Sequence, residues 1–313
     1  MQSQGTMNLD STSGGIVRSG AYSVTLKSVF GISINDNFDG TVPDQELHIN
    51  ADSGFAGTTG TADFTIKAGK TLSSGNGLLS ITASDMQLLG TLNSGTSVAQ
   101  LQTATRRSIG LGTVLQQMDI EGPEIQRITA SGLIVGAERV NRDIRIVGVT
   151  HANSATISGV VTVLATVDDS VINFQDASST FGALAAQADN GVYVRVDTTT
   201  TPNSLYLDGD FEDTSSSDSE NSVEMFNSRT LTSNLVITLE STTSQLVANG
   251  AVTLRSGKGI MLLDHFSSAT SGASLVLNAD YESTGDGTLT LFSDKTATSN
   301  NGNIVVTAWD IDL

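Results

Sequence analysis

The sequence predicts an all-β fold, a parallel β-helix (β-solenoid) of short strands forming an elongated rod. Three observations predict it: short runs in which Val, Ile and Leu alternate with polar residues, turn-forming residues between the runs, and internal repetition.

The strands come first. YSVTL, ELHIN, DFTIK and LLSIT each alternate apolar and polar residues, and such runs lie roughly 15 to 25 residues apart. No stretch holds a helical period; Ala183 to Ala188 is the best helical candidate, and it is short. A spacing of about 20 residues with Gly, Asn and Ser turns is the coil length of a β-helix. It predicts roughly 15 coils rising about 4.8 Å each, a rod of about 70 to 75 Å.

The composition agrees. Charged residues make up 15%, aromatics 5%, and there are 3 prolines, a mixture poor in helix formers and rich in turn formers. A hydrophobic fraction of 38% is too high for a disordered low-complexity chain. With so few aromatics the core must be narrow. Fifteen Lys and Arg stand against 33 Asp and Glu, a net charge of −18, which disfavours nucleic acid and anionic membrane surfaces as partners and favours cations. The absence of cysteine removes disulfides, thiolate metal sites and thiol nucleophiles, and is compatible with an exported surface protein. The first residues, MQSQGTMNLDSTSGG, lack the basic and apolar regions of a secretory signal. The longest apolar stretch, Val160 to Val167, is far short of the roughly 20 residues that cross a bilayer. No membrane insertion is expected.

Repetition is the strongest signal. LHINAD (Leu47 to Asp52) recurs as LYLDGD (Leu205 to Asp210) and LVLNAD (Leu275 to Asp280). Each is followed by a polar loop and a second matching block, FTIKAGKT (Phe64 to Thr71), VEMFNSRT (Val223 to Thr230) or LTLFSDKT (Leu289 to Thr296), ending in a basic residue and Thr. YSVTLKS (Tyr22 to Ser28) matches AVTLRS (Ala251 to Ser256), and Gly31-Ile32 matches Gly259-Ile260. One continuous solenoid segment, 1–313, is therefore expected, with units at about 20–93, 181–249 (partial) and 250–313 (truncated) and a distinct section at 105–150. The final DIDL stops where the first copy continues, so the chain reads as a segment of a longer array.

At RSIGLG (Arg107 to Gly112) and MDIEGPEIQRITASGLIVG (Met118 to Gly136), followed by IRIVGV (Ile144 to Val149), the chain resembles the filamentous-haemagglutinin-like repeat regions of very large β-solenoid surface proteins and adhesins. The resemblance implies a right-handed parallel β-helix, export, and surface or filament roles. Read from the residues alone, Ile125, Ile128, Leu133 and Val135 point inward, Gly132 and Gly136 relieve corners, and Arg127 caps turn carbonyls.

The sharpest local chemistry is NDNFDGTVPDQE, which approaches a twelve-residue calcium loop with oxygen side chains at Asn35, Asn37 and Asp39, Gly40 at the bend and Glu46 last. Asn in first place, Pro43 inside the loop and the missing flanking helices count against it. Calcium is the one cofactor entertained. A second acidic cluster, DGDFEDTSSSDSE (Asp208 to Glu220), reads as a solvated surface loop. The recurring Asp52, Asp210 and Asp280 read as turn residues accepting backbone N–H bonds, because a catalytic acid would not recur in every unit. His48, His151 and His265 are scattered and read as surface residues, and AGKT (Ala68 to Thr71) lacks the upstream glycine of a phosphate loop.

The expected function is structural or adhesive and non-enzymatic: an extracellular or cell-surface rod whose partners are neighbouring solenoid units of the same or identical chains and cell-surface or matrix polymers. The alternative is a binding module for extracellular polysaccharide or ice. Ice binding needs a Thr row, and the Thr residues are not expected to recur at one coil position.

Overall fold

A computed structural model describes residues 1–55, 62–214 and 220–313. The chain winds as a three-sided parallel β-helix. The first face is one thirteen-stranded sheet running from Gln2–Ser3 to Asp310–Asp312. The second face is a four-stranded sheet from Met7–Leu9 to Met86–Leu88, followed by a nine-stranded one ending at Ala297–Thr298. The third is a five-stranded sheet from Ile16–Arg18 to Ile128–Thr129, then a six-stranded one from Ser179–Phe181 to Ile304–Thr307.

Alternation in the sequence decides which side chains enter the rod. In Leu79–Ala83 and Val161–Ala165 every second residue is buried and its neighbours face outward. In-register parallel pairing then stacks like on like. One inward column of the first face reads Val24, Leu47, Leu79, Ala99, Leu133, Val161, Leu184, Leu205, Ile237, Ile260, Leu289 and Ile311. Columns of this kind from all three faces, mostly aliphatic with an occasional Phe such as Phe64 or Phe174, fill a narrow interior, which is why few aromatics suffice.

Thirteen rungs on the first face, about 4.8 Å apart, give a rod of about 58 Å, shorter than the 70 to 75 Å expected. Coil length varies: Leu79 pairs with Ala99 in a short coil, but Ala99 pairs with Leu133 in a much longer one. The surplus residues leave the coil as corner loops and add no rungs. The helical candidate at 183–188 is a strand, Leu184–Ala188, because its residues alternate inward and outward, with Ala186 in the inward column between Val163 and Leu207 and Ala188 stacked on Ala165.

The placement of the repeats differs from copy to copy. LHIN of the first copy and LYLD of the second both lie on the first face, as Leu47–Asn50 and Leu205–Asp208. LVLN of the third copy, Leu275–Asn278, lies on the third face. The same sequence unit thus serves different sides of the rod, since each side asks only for alternation and a corner.

The section carrying the family resemblance is the irregular one. Strand Ile109–Gly112 is followed, after only residues 113–117, by Met118–Glu121, which pairs parallel beside it. Parallel neighbours ordinarily need a crossover of a dozen or more residues. Here the link folds back over the outer surface of the first strand, and Gly110 is required there because a Cβ would lie 2.3 Å from the Val114 carbonyl oxygen. The loop-back adds one strand to the second face and interrupts its hydrogen-bond ladder between Met86–Leu88 and Met118–Glu121. Two four-residue helices, α1 (Gly122–Ile125) and α2 (His151–Ser154), replace strands on the third face next to it. Ile125, Ile128, Leu133 and Val135 are buried as expected, and Arg127 donates to the Leu88 carbonyl at 2.9 Å. Gly136 sits at φ +97° with a Cβ position 2.3 Å from the Leu164 carbonyl oxygen, so it is a corner glycine; Gly132 has ordinary clearance and lies within a strand.

Candidate functional site on the outer surface of the longest sheet

Strands Leu184–Ala188, Leu205–Asp208 and Val236–Glu240 are successive rungs of the thirteen-stranded sheet. Their register stacks Gln187, Asp208 and Glu240 in one outward row. Leu205 and Leu207 fill the core, so Tyr206 and Asp208 must project outward. The Tyr206 hydroxyl lies 2.5 Å from Glu240 Oε2 and 3.2 Å from Asp208 Oδ2, and Gln187 Nε2 donates to Asp208 Oδ2 at 3.4 Å. The backbone N–H of Asp210 donates to Asp208 Oδ1 at 3.0 Å.

Asp208 is 5% exposed, although it lies on the outside of the barrel. Burial, reinforced by the charge of Glu240, pushes its carboxyl up to about 6, while hydrogen bonds from the Asp210 N–H, Gln187 and Tyr206 pull the other way. Burial and then Glu240 raise the Tyr206 phenol well above its usual range. Among the described residues neither carboxylate belongs to an ion pair. Beside the row the Tyr206 side chain forms one wall of a cavity of about 340 Å³, whose other walls include Val160, Ala185, Asn203, Ser204 and Leu235. An aromatic wall, an amide and two carboxylates can accept hydrogen bonds from hydroxyl or amine groups, and Asp208 can hold a proton near neutral pH.

A second carboxylate group mends the broken ladder. Glu124 accepts the N–H of Leu88 at 2.8 Å with Oε1 and that of Glu121 at 2.9 Å with Oε2, bridging the strand ends across the break. Asp85 accepts the N–H of Asp119 at 2.9 Å. Burial raises the carboxyls of Asp85, Asp119 and Glu124 above their ordinary values, chiefly by desolvation. Each of these contacts replaces a missing strand-to-strand bond, which is a structural role. Among the described residues no group of three or more His, Asp or Glu side chains is gathered to hold a metal ion.

The residues of the calcium-like motif are strung along one coil. Asn35 and Asn37 lie at a corner, Asp39 faces out from strand Phe38–Gly40, and Glu46 follows the next turn and meets His48 at 3.0 Å. The amide oxygen of Asn37 accepts the Thr71 N–H at 3.0 Å. The second acidic cluster departs from its solvated reading at its start, where Asp208 and Asp210 are buried, while Glu212, Asp213 and Glu220 are exposed; residues 215–219 lie outside the described residues. Asp210 and Asp280 do accept backbone N–H groups, from Thr243 and from Thr284 and Gly285.

Sequence reading missed the row of Gln187, Asp208 and Glu240. A signal was available: Asp208 stands where the other two copies have Asn50 and Asn278, a departure from the repeat. Gln187 and Glu240 carry no such mark, because only the coil lengths bring them beside Asp208. The chain matches no family model, no curated protein and no solved structure.

Proposed function

We propose that the chain is a structural or adhesive rod segment of an extracellular surface protein, in which the solenoid's length and outer surface are the function. The observation that carries this reading is the uninterrupted thirteen-stranded sheet over one continuous aliphatic core, in which each rung depends on its neighbours. The partners that fit are neighbouring solenoid units of the same or identical chains. An acidic exterior keeps such a rod dispersed and off anionic surfaces. The test is to delete residues 184–204, which removes one strand from each face and brings Val161 opposite Leu205. A modular rod keeps its circular dichroism and shortens by one rung; loss of all β structure would refute the reading.

A second reading, binding of extracellular polysaccharide on the outer face, is favoured by the cavity beside Tyr206 and the carboxyl row. Neutral-sugar oligomers should bind and Tyr206→Ala should abolish binding; equal binding by the variant would refute it. For ice, Thr180, Thr199 and Thr232 do stack at one coil position, contrary to expectation, but Arg255 and Asn278 continue the row. Three threonines make too short a surface to support that role.

A further inference from the structure

The Thr that ends the second block of every copy is latched to the neighbouring coil through its N–H, and in the first and third copies the basic residue before it adds an ion pair. In the first copy Asn37 Oδ1 accepts the Thr71 N–H at 3.0 Å, and Lys70 pairs with Asp36 at 2.7 Å. In the second, Asp197 Oδ1 accepts the Thr230 N–H at 2.8 Å. In the third, His265 Nδ1 accepts the Thr296 N–H at 3.1 Å, and Lys295 pairs with Asp264 at 2.6 Å. The acceptor always sits just before one strand, opposite the Thr at or beside the start of the strand on the next rung. An amide, a carboxylate and an imidazole thus fill the same acceptor position.

Only the imidazole changes its ability to accept near neutral pH. A backbone N–H can only donate, so Nδ1 of His265 must carry its lone pair toward Thr296 and its proton must be on Nε2. Protonation places an Nδ1–H against the Thr296 N–H and removes the acceptor. The Thr296 hydroxyl, also 3.0 Å from Nδ1, donates there in the neutral form and turns to accept the Nδ1–H in the charged form, so it is the backbone N–H alone that loses its acceptor.

We propose that His265 makes the rung between Phe266–Ser268 and Ala297–Thr298 acid-sensitive, a switch that the other two copies lack. The charged groups around it are Asp264 and Lys295, which engage each other, and Asp294 in the turn before Lys295. From the rung below it is faced by the uncharged Ser244 and Gln245, and beside it by Ser267 and Thr298. The neighbouring carboxylate of Asp264 is committed to Lys295 and to the Ser241 N–H. Strand Ala297–Thr298 is only two residues long, and besides His265 its corner is held by the Lys295–Asp264 pair and by the Phe266 N–H, which donates to the Thr296 carbonyl at 2.8 Å.

The experiment is amide hydrogen exchange by NMR on the whole chain, corrected for the intrinsic pH dependence of exchange. Thr296 should lose about tenfold in protection when the solution is taken from mildly alkaline to mildly acid, while Thr71 and Thr230 keep theirs. His265→Asn should retain protection at Thr296 and abolish the step, and Asn37→His should install a step at Thr71. Constant protection of Thr296 in the wild type, a step that survives His265→Asn, or no step at Thr71 in Asn37→His would overturn the proposal.

Discussion

Asp208 offers the most quantitative check on how burial works on the outside of this rod. Its carboxyl rises from an ordinary value of 3.8 to about 6. A group that binds its proton more tightly in the folded state destabilises that state as pH rises from the unfolded value to the folded one. A shift of about two units corresponds to about 3 kcal/mol, absent below about pH 3.8 and fully felt above about pH 6. Asp208→Asn removes the titration while its amide oxygen still accepts the Asp210 N–H, and its NH2 can donate to the Tyr206 oxygen and, once Gln187 turns its own amide oxygen toward it, to Gln187. The stability of the variant relative to wild type should therefore rise by about 3 kcal/mol between about pH 3.5 and 7. Urea unfolding across that range measures the difference. Amide exchange in Leu205–Asp208 and Val236–Glu240 localises it, since a solenoid can unfold by segments. A difference that stays flat with pH, or falls as pH rises, would show that Asp208 is not desolvated by its neighbours as described.

Glu124→Ala removes the acceptors of the buried Leu88 N–H and the part-buried Glu121 N–H, at up to about 3 kcal/mol each, partly offset by removing a desolvated charge. A net loss of about 2 to 4 kcal/mol is expected in urea unfolding, and a change below about 0.5 kcal/mol would mean that the ladder break heals without it. Gly112→Ala places a Cβ 2.0 Å from the Val147 carbonyl oxygen at φ +100°, so the next rung must move. It should cost at least about 2 kcal/mol, and an unchanged unfolding midpoint would contradict the close approach of the two rungs.

The latch shows both how far the sequence can be read and where it stops. The pairing of a basic residue with Thr was visible as a repeat, but its purpose was not, because Asn37, Asp197 and His265 share no side-chain type and precede their Thr partners by different numbers of residues. Asn37 looked like a cation ligand from spacing alone. Only the coil length reveals that Thr71 sits opposite and takes its oxygen.

By itself the sequence determined the fold class, the inward residues and the repeats, because alternation with a period of two and frequent turn residues are local properties that survive any coil length. It also marked the section at 105–150 as different. The tertiary structure decided what the spacing could not: the number of rungs, the face on which each unit lies, the loop-back that breaks one ladder, and the meeting of Gln187, Asp208 and Glu240. The reason is physical. In a parallel stack every contact runs between residues one coil apart, and the coil from Leu79 to Ala99 is far shorter than the next, from Ala99 to Leu133. Corner loops set that length, and their lengths become contacts only once the chain is wound.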